Sequence, residues 1–255
     1  MKDNYPASDL PQPAPPQQPV RMALPQTAPY VTYTIIGVTV AVYIIQWISR
    51  AFIQIDLPIE FFAKENDLIR AGQLWRLLTP ALVHSPHSLA HVGFNMYALF
   101  SFGVALESYF GHGRFLTLYV LGAFTGNVMS FLFSSAPSIG ASTAVFGIIG
   151  AEAIFLILNR KLLAGHFRRA IGNVLFIIAI NLFLVGSLPG IDNWGHIGGL
   201  AGGLMFTWFA SPLWEIEGIQ PMLRLVDKRS SREAITGAAT VLLIFGALAF
   251  WGMVR

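Results

Sequence analysis

Apolar runs of nearly membrane-spanning length recur along this chain. A hydrocarbon core about 30 Å thick needs roughly 20 helical residues. Seven segments approach that length: 30–49, 89–106, 115–133, 142–159, 170–188, 195–210 and 234–254. The second, fourth and sixth open on polar residues and are marginal alone, which places them inside a bundle where neighbours shield the polar ends. The stretch 50–88 is different. Asp56, Glu60, Lys64, Glu65, Asp67, Arg70 and Arg76 are mixed there with Leu, Ile, Phe and Trp, a blend suited to short helices lying at the membrane interface. Residues 1–29 hold eight prolines and four glutamines with almost no periodicity. Such a segment buries too little apolar area to offset its ordering entropy, so a disordered cytoplasmic tail is expected. Residues 211–233 read as a cytoplasmic linker and 234–255 as an additional transmembrane helix. The pattern predicts an all-α integral membrane protein.

Composition agrees. Of 255 residues, 55% are apolar and 11% charged, whereas a soluble domain is nearer 45–50% and about 25%. A water-soluble enzyme, a nucleic-acid binder and a disordered regulator are all disfavoured. The net charge of +3 comes from basic residues flanking apolar runs, a distribution that orients a membrane protein. With the N-terminus inside, the inner side holds Lys2, Arg21, Arg114, Arg160, Lys161, Arg168, Arg169, Arg224, Lys228, Arg229 and Arg232. The outer side holds Arg50, Lys64, Arg70, Arg76 and Arg255. The expectation is a cytoplasmic N-terminus, an outer C-terminus and residence in a prokaryotic plasma membrane. With no cysteine, thiol catalysis and zinc–thiolate sites are excluded.

Under this topology segments two, four and six all begin at the outer face, and each carries its unusual polar residues there. Segment two has His91 and Asn95, segment four opens Gly140-Ala141-Ser142, and segment six opens Trp194-Gly195-His196 followed by Gly198 and Gly199. Nothing in the charge count used these residues. A single serine in a membrane helix ordinarily hydrogen-bonds the carbonyl four residues back, and a single histidine near a helix end ordinarily packs. A serine and a histidine at one depth among small residues suggest a nucleophile and its base. Gly199 and Gly203 lie four apart on the face that carries His196, so a neighbouring helix can come close enough for a hydrogen bond. His91 and Asn95, also four apart, either form an interhelical polar pair or donate to a developing oxyanion, as the first amides of segment four can also do. His84, His87, His91 and His196 would suffice in number for a metal, but the HExxH arrangement is absent and no acid lies near the first three. Neither a metal nor a cofactor is expected.

These residues resemble the rhomboid family of intramembrane serine proteases. The likeness runs from about residue 60 to 210 and includes Trp75-Arg76, His91-x3-Asn95, Glu107 with Gly111, Gly140-x-Ser142 with Phe146, and His196 with Gly199 and Gly203. It implies a six-helix rhomboid-like bundle over 30–210 plus one extra C-terminal helix. Ser142 is then the nucleophile, His196 its base, and His91, Asn95 and the Ser142 amide the oxyanion hole. Gly140, Phe146, Gly199 and Gly203 support them. The implied partners are transmembrane segments of substrate proteins and the bilayer, not nucleic acid. Asp192 stands four residues before His196 but in a connecting loop, so a dyad rather than a triad is expected, oriented by the Phe146 ring. His84 reads as structural or gating. Thr143 departs from the glycine that most often follows the family's serine, and its side chain is expected to point away from the cavity. Two alternatives remain: an inactive relative that binds transmembrane segments, and a transporter.

Overall fold

The first apolar run folds as helix α1 (Tyr30–Ile53), and its polarity is inverted relative to a water-soluble protein. It buries Thr32, Thr39, Gln46 and Ser49 while exposing Ile44, Ile45, Ile48 and Phe52. An aliphatic surface over polar contacts is favourable only against hydrocarbon, where buried polar groups must find partners inside the protein. The structure is a computed structural model that describes residues 26–219 and 222–255. Most of the expected tail, 1–25, lies outside the described residues. At its end Thr27 donates its amide to the Ser108 carbonyl at 2.9 Å.

The mixed stretch forms short helices, α2 (Leu57–Phe62) and α3 (Asn66–Arg70), then 3-10 turns at Leu74–Leu77 and Thr79–Leu82. Asp56 caps α2 by accepting the Ile59 amide at 3.1 Å. Arg76 is buried and donates to the carbonyls of Ala63 and Glu60 at 2.7 and 2.5 Å. A guanidinium can thus close the loop without a carboxylate, because carbonyls satisfy its donors. Helix α4 (Leu89–Ala98) passes through a π-helical turn (Leu99–Gly103) into α5 (Val104–Phe110). Next come α6 (His112–Phe133), α7 (Ser142–Leu158), α8 (Phe167–Ala179, extended by irregular turns to Ser187), α9 (Asn193–Ala210) and α10 (Ser231–Val254).

Each apolar segment is helical, with ends displaced by a few residues. Among the described residues five helices are long and apolar enough to cross a membrane: Tyr30–Ile53, Leu89–Phe110, His112–Phe133, Phe167–Ser187 and Ser231–Val254. Helices α7 and α9 fall outside that set, the one by length and the other by its glycines and polar start. They lie instead at the centre with α6, and their glycines explain how. A Cβ on Gly203 would land on the Gly147 carbonyl oxygen, and one on Gly202 on the Thr125 hydroxyl. Backbones that touch gain dispersion contacts along their length, which is how helices associate when lipid removes the hydrophobic drive. By contrast α8 is peripheral, with Leu175, Phe176, Phe183 and Leu184 exposed.

The fold is mostly helical, as expected, and the stretch 211–233 adds a small antiparallel hairpin, β1 (Trp214–Glu217) with β2 (Arg224–Asp227). Polar pairs hold it. Asp227 receives Arg114 of α6 at 2.6 Å and the Leu213 amide at 3.0 Å, and Glu217 pairs with Arg224 and Lys228. The alternation Trp-Glu-Ile-Glu was the available signal, but four residues between longer helical runs give a weak period-2 pattern. A capping box between Ser230 and Glu233 then starts α10.

Candidate active site

Local backbone chemistry places the serine. Gly140 adopts φ +122°, a region that side chains rarely enter, and the chain turns there into α7, whose first residue is Ser142. The amides of a helix's first turn have no intrahelical acceptor, so those at Ser142, Thr143 and Ala144 begin the helix as free donors carrying its positive end. Ser142 is half-buried.

His196 lies on the second turn of α9 and is buried. The Phe146 ring, one turn beyond Ser142, stacks on it with centroids 4.3 Å apart and planes 10° from parallel. This contact joins α7, which opens on Ser142, to α9, which carries His196. The glycines permit it, since a Cβ on Gly199 would strike the Thr143 carbonyl oxygen. The His196 Nδ1 is buried with no hydrogen-bond partner among the described residues, so packing rather than a carboxylate orients the ring. Asp192 serves elsewhere. It is the N-cap of α9, accepting the Gly195 amide at 2.9 Å.

His91 is oriented by its neighbours. Its Nδ1 accepts the Ser85 amide at 3.2 Å, and because a backbone N–H can only donate, a neutral ring carries its proton on Nε2. That Nε2 faces Gly140, lying 2.8 Å from where a Cβ there would sit, and the same point is 3.8 Å from the Ser142 Oγ. A donor therefore faces the Ser142 hydroxyl across a bare glycine. Asn95 is buried on the same face of α4 and donates one Nδ2 proton to the His91 carbonyl at 2.8 Å, leaving the other.

His84, fully buried, accepts the Ala141 amide on Nε2 at 3.2 Å. Burial, with His91 adding a smaller push, holds its pKa down to about 3, so the ring remains the neutral acceptor this bond requires at any ordinary pH. The Gln46 side chain in turn pairs with the His84 backbone in both directions, at 2.8 and 3.1 Å. Sequence reasoning missed Gln46 and Ser85. A signal for Gln46 was present: Thr39, Tyr43 and Gln46 recur at four and three residues, one face of an otherwise aliphatic helix.

Thr143 is buried in the seam between α6 and α9, its Cβ and Cγ2 against Gly126 and Gly195 and its hydroxyl without a hydrogen-bond partner among the described residues. Thr143→Gly is therefore expected to lower stability by about 2 kcal/mol through lost packing and added chain entropy. Thr143→Val, which removes the unpaired hydroxyl, should be nearly neutral. Thermal melts in detergent compare the two.

The clefts beside the loops lie apart from this cluster. One of about 460 Å³ is lined by Glu65, Asp67, Arg70 and Ser134, and another of about 570 Å³ by Ile45, Phe61 and Trp75.

The Rhomboid domain model matches residues 71–213, more than half of the chain. The chain belongs to the rhomboid family. The match begins in the first loop and ends just after α9, so it contains Ser142, His196, His91, Asn95 and His84 and leaves Gln46 of α1, and α10, outside. The chain is 43% identical over 176 residues to Rhomboid protease GluP of Bacillus subtilis, covering 69% of this chain and 34% of that protein. It is 32% identical over 163 residues to chloroplastic RHOMBOID-like protein 9 of Arabidopsis thaliana, covering 64% and 37%. Against Rhomboid-like protease 1 of Toxoplasma gondii it is 31% identical over 183 residues, 66% and 61%. It spans about a third of the length of the first two relatives. With several apolar helices, this rhomboid chain is a multi-pass integral membrane protein.

Proposed function

We propose that this chain is an intramembrane serine protease that cuts transmembrane segments of other membrane proteins near the outer face. The observation that carries the reading is the Phe146–His196 stack, which unites a helix opening on Ser142 with a buried histidine lacking a carboxylate partner. In this mechanism His196 takes the Ser142 hydroxyl proton as Oγ attacks the substrate carbonyl carbon. The resulting oxyanion receives His91 Nε2–H, the second Asn95 Nδ2 proton and the Ser142 amide. The intermediate collapses, the peptide C–N bond breaks, and His196 returns its proton to the departing amine. Water then attacks the acyl-serine with His196 again as base. The substrate must unwind locally, since a helical peptide bond is tied up by its own hydrogen bonds.

A six-helix core with α10 as a seventh span, the α2–α3 loop at the outer interface, and the hairpin in the cytoplasm complete the reading. The test is incubation of purified protein in detergent with a model transmembrane substrate, followed by mass spectrometry of the products. A fluorophosphonate should in parallel label a peptide containing Ser142. Absence of both cleavage and label would leave the reading without support and favour a non-catalytic binder.

His91→Ala and Asn95→Ala are expected to lower kcat more than they raise KM, because oxyanion donors act mainly in the transition state. Losing one such donor costs about 2.7–4 kcal/mol where it is not backed up. His91→Ala should be the more severe, since its Nε2 faces Gly140 beside the Ser142 hydroxyl. Steady-state kinetics of both variants and the double decide it; unchanged kcat in all three removes the oxyanion role.

Orientation is open to direct labelling, because the chain has no cysteine of its own. Ser135 and Gly165 are both exposed, in the α6–α7 and α7–α8 connections. An impermeant thiol reagent on intact cells should reach Ser135→Cys and not Gly165→Cys. The reverse pattern inverts the topology.

A further inference from the structure

Lys64 is a charged residue with no exposed surface. Its ammonium donates to the Ser134 and Ala136 carbonyls at 2.9 and 2.7 Å. Its backbone pairs in both directions with Ser138, at 2.9 and 3.1 Å. Two residues on, the Asn66 side chain donates to the Phe131 and Ser134 carbonyls at 3.2 and 3.0 Å. These acceptors are the last carbonyls of α6 and the connector after it, groups a helix end leaves unpaired and where a cation is favoured. The same connector reaches Gly140, whose amide goes to the Pro80 carbonyl at 2.9 Å, and Ala141, whose amide goes to His84. The first loop thus grips the whole approach to Ser142.

Burying an ammonium is expensive, so hydrogen bonds to two carbonyls alone are a costly way to tie down a loop. Burial depresses the Lys64 pKa to about 8, still high enough for the ammonium to be mostly charged at neutral pH.

We infer that Lys64 is a positioning residue for the Ser142 loop. Its ammonium holds the Ser134 and Ala136 carbonyls and its backbone holds Ser138, which sets the connector leading to Ser142. Lys64 does not touch substrate; it acts on the geometry of the dyad. The inference rests on the protease reading, and the experiment separates the two.

Two variants are measured in detergent: Lys64→Met, which keeps length and loses charge, and Lys64→Arg, which keeps charge and donors. Lys64→Met is expected to lower kcat roughly 100-fold, as displacement of reacting groups by about an ångström does, with KM and melting temperature little changed. Lys64→Arg should recover most of that loss. In a Ser142→Ala background, hydrogen exchange should quicken at 134–141 in Lys64→Met and stay unchanged in α10. Wild-type kcat in Lys64→Met, or exchange quickened throughout the chain, overturns the inference. If Lys64→Met does not fold, Lys64→Gln, which loses the charge but keeps a donor, decides: unchanged kcat and unchanged exchange at 134–141 overturn it. If the wild type does not cleave at all, the protease reading falls, while the exchange data still test the tie.

Discussion

Ser142→Ala and His196→Ala are each expected to reduce proteolysis to background while leaving the fold intact. Nucleophile and base act as a unit, so losing either costs about as much as losing both, on the order of 10⁶-fold in the serine protease where this has been measured. The double variant should be no worse than either single. The structure gives a reason to expect intact folding. Ser142 is half-buried at a helix start, and Ser142→Ala removes one hydroxyl oxygen and nothing else. His196 is held by the Phe146 ring and has an unpaired Nδ1, so truncation removes a stacked ring without stranding a partner's hydrogen bond. Cleavage of a model substrate, melting temperature and fluorophosphonate labelling check this together. Labelling should disappear in Ser142→Ala and fall sharply in His196→Ala, whose serine lacks its base. Wild-type cleavage by either folded variant would falsify the dyad.

The second large effect needs only one methyl group. Gly199→Ala places a Cβ on the Thr143 carbonyl oxygen, a backbone atom in the first turn of α7 that cannot rotate away. The two helices must separate, and the Ser142–His196 geometry separates with them. A displacement of about an ångström at a reacting centre can cost roughly 100-fold in rate, and overpacking of this kind typically costs about 1–3 kcal/mol in stability. The control is Gly246→Ala in α10, where nothing lies within 4 Å of the added atom. It should leave cleavage unchanged and stabilise slightly, because alanine has less chain entropy to lose in a helix. Equal behaviour of the two variants would mean that the α7–α9 contact does not set the site.

Parts of this fold and site are legible in the chain alone because they depend on local pattern. Helix positions follow from apolar runs, and the ends shift where a cap intervenes: Asp192 starts α9 earlier than its apolar run, and the Ser230–Glu233 box does so for α10. Asp192 read as a loop residue because a cap stands outside the periodicity that marks a helix. The hairpin at Trp214–Asp227 was missed because four alternating residues per strand are a weak signal beside longer helical runs, and the Arg114 that braces Asp227 lies far away in sequence.

For the site, residue types and spacings nominated Ser142, His196, His91 and Asn95 and the glycines Gly199 and Gly203, and the resemblance to rhomboids added Phe146 and Gly140. Bilayer physics makes polar groups in apolar runs rare, so they stand out as sequence. What holds those residues in place was decided by tertiary structure. Gln46 binds the His84 backbone, Ser85 selects the His91 tautomer, and Lys64 grips carbonyls some 70 residues further along. Backbone carbonyls and amides serve as partner in each case, and every residue carries the same ones. The sequence by itself therefore determined which elements form and which side chains are chemically unusual. Only the folded chain decided which anonymous backbone groups those side chains would meet.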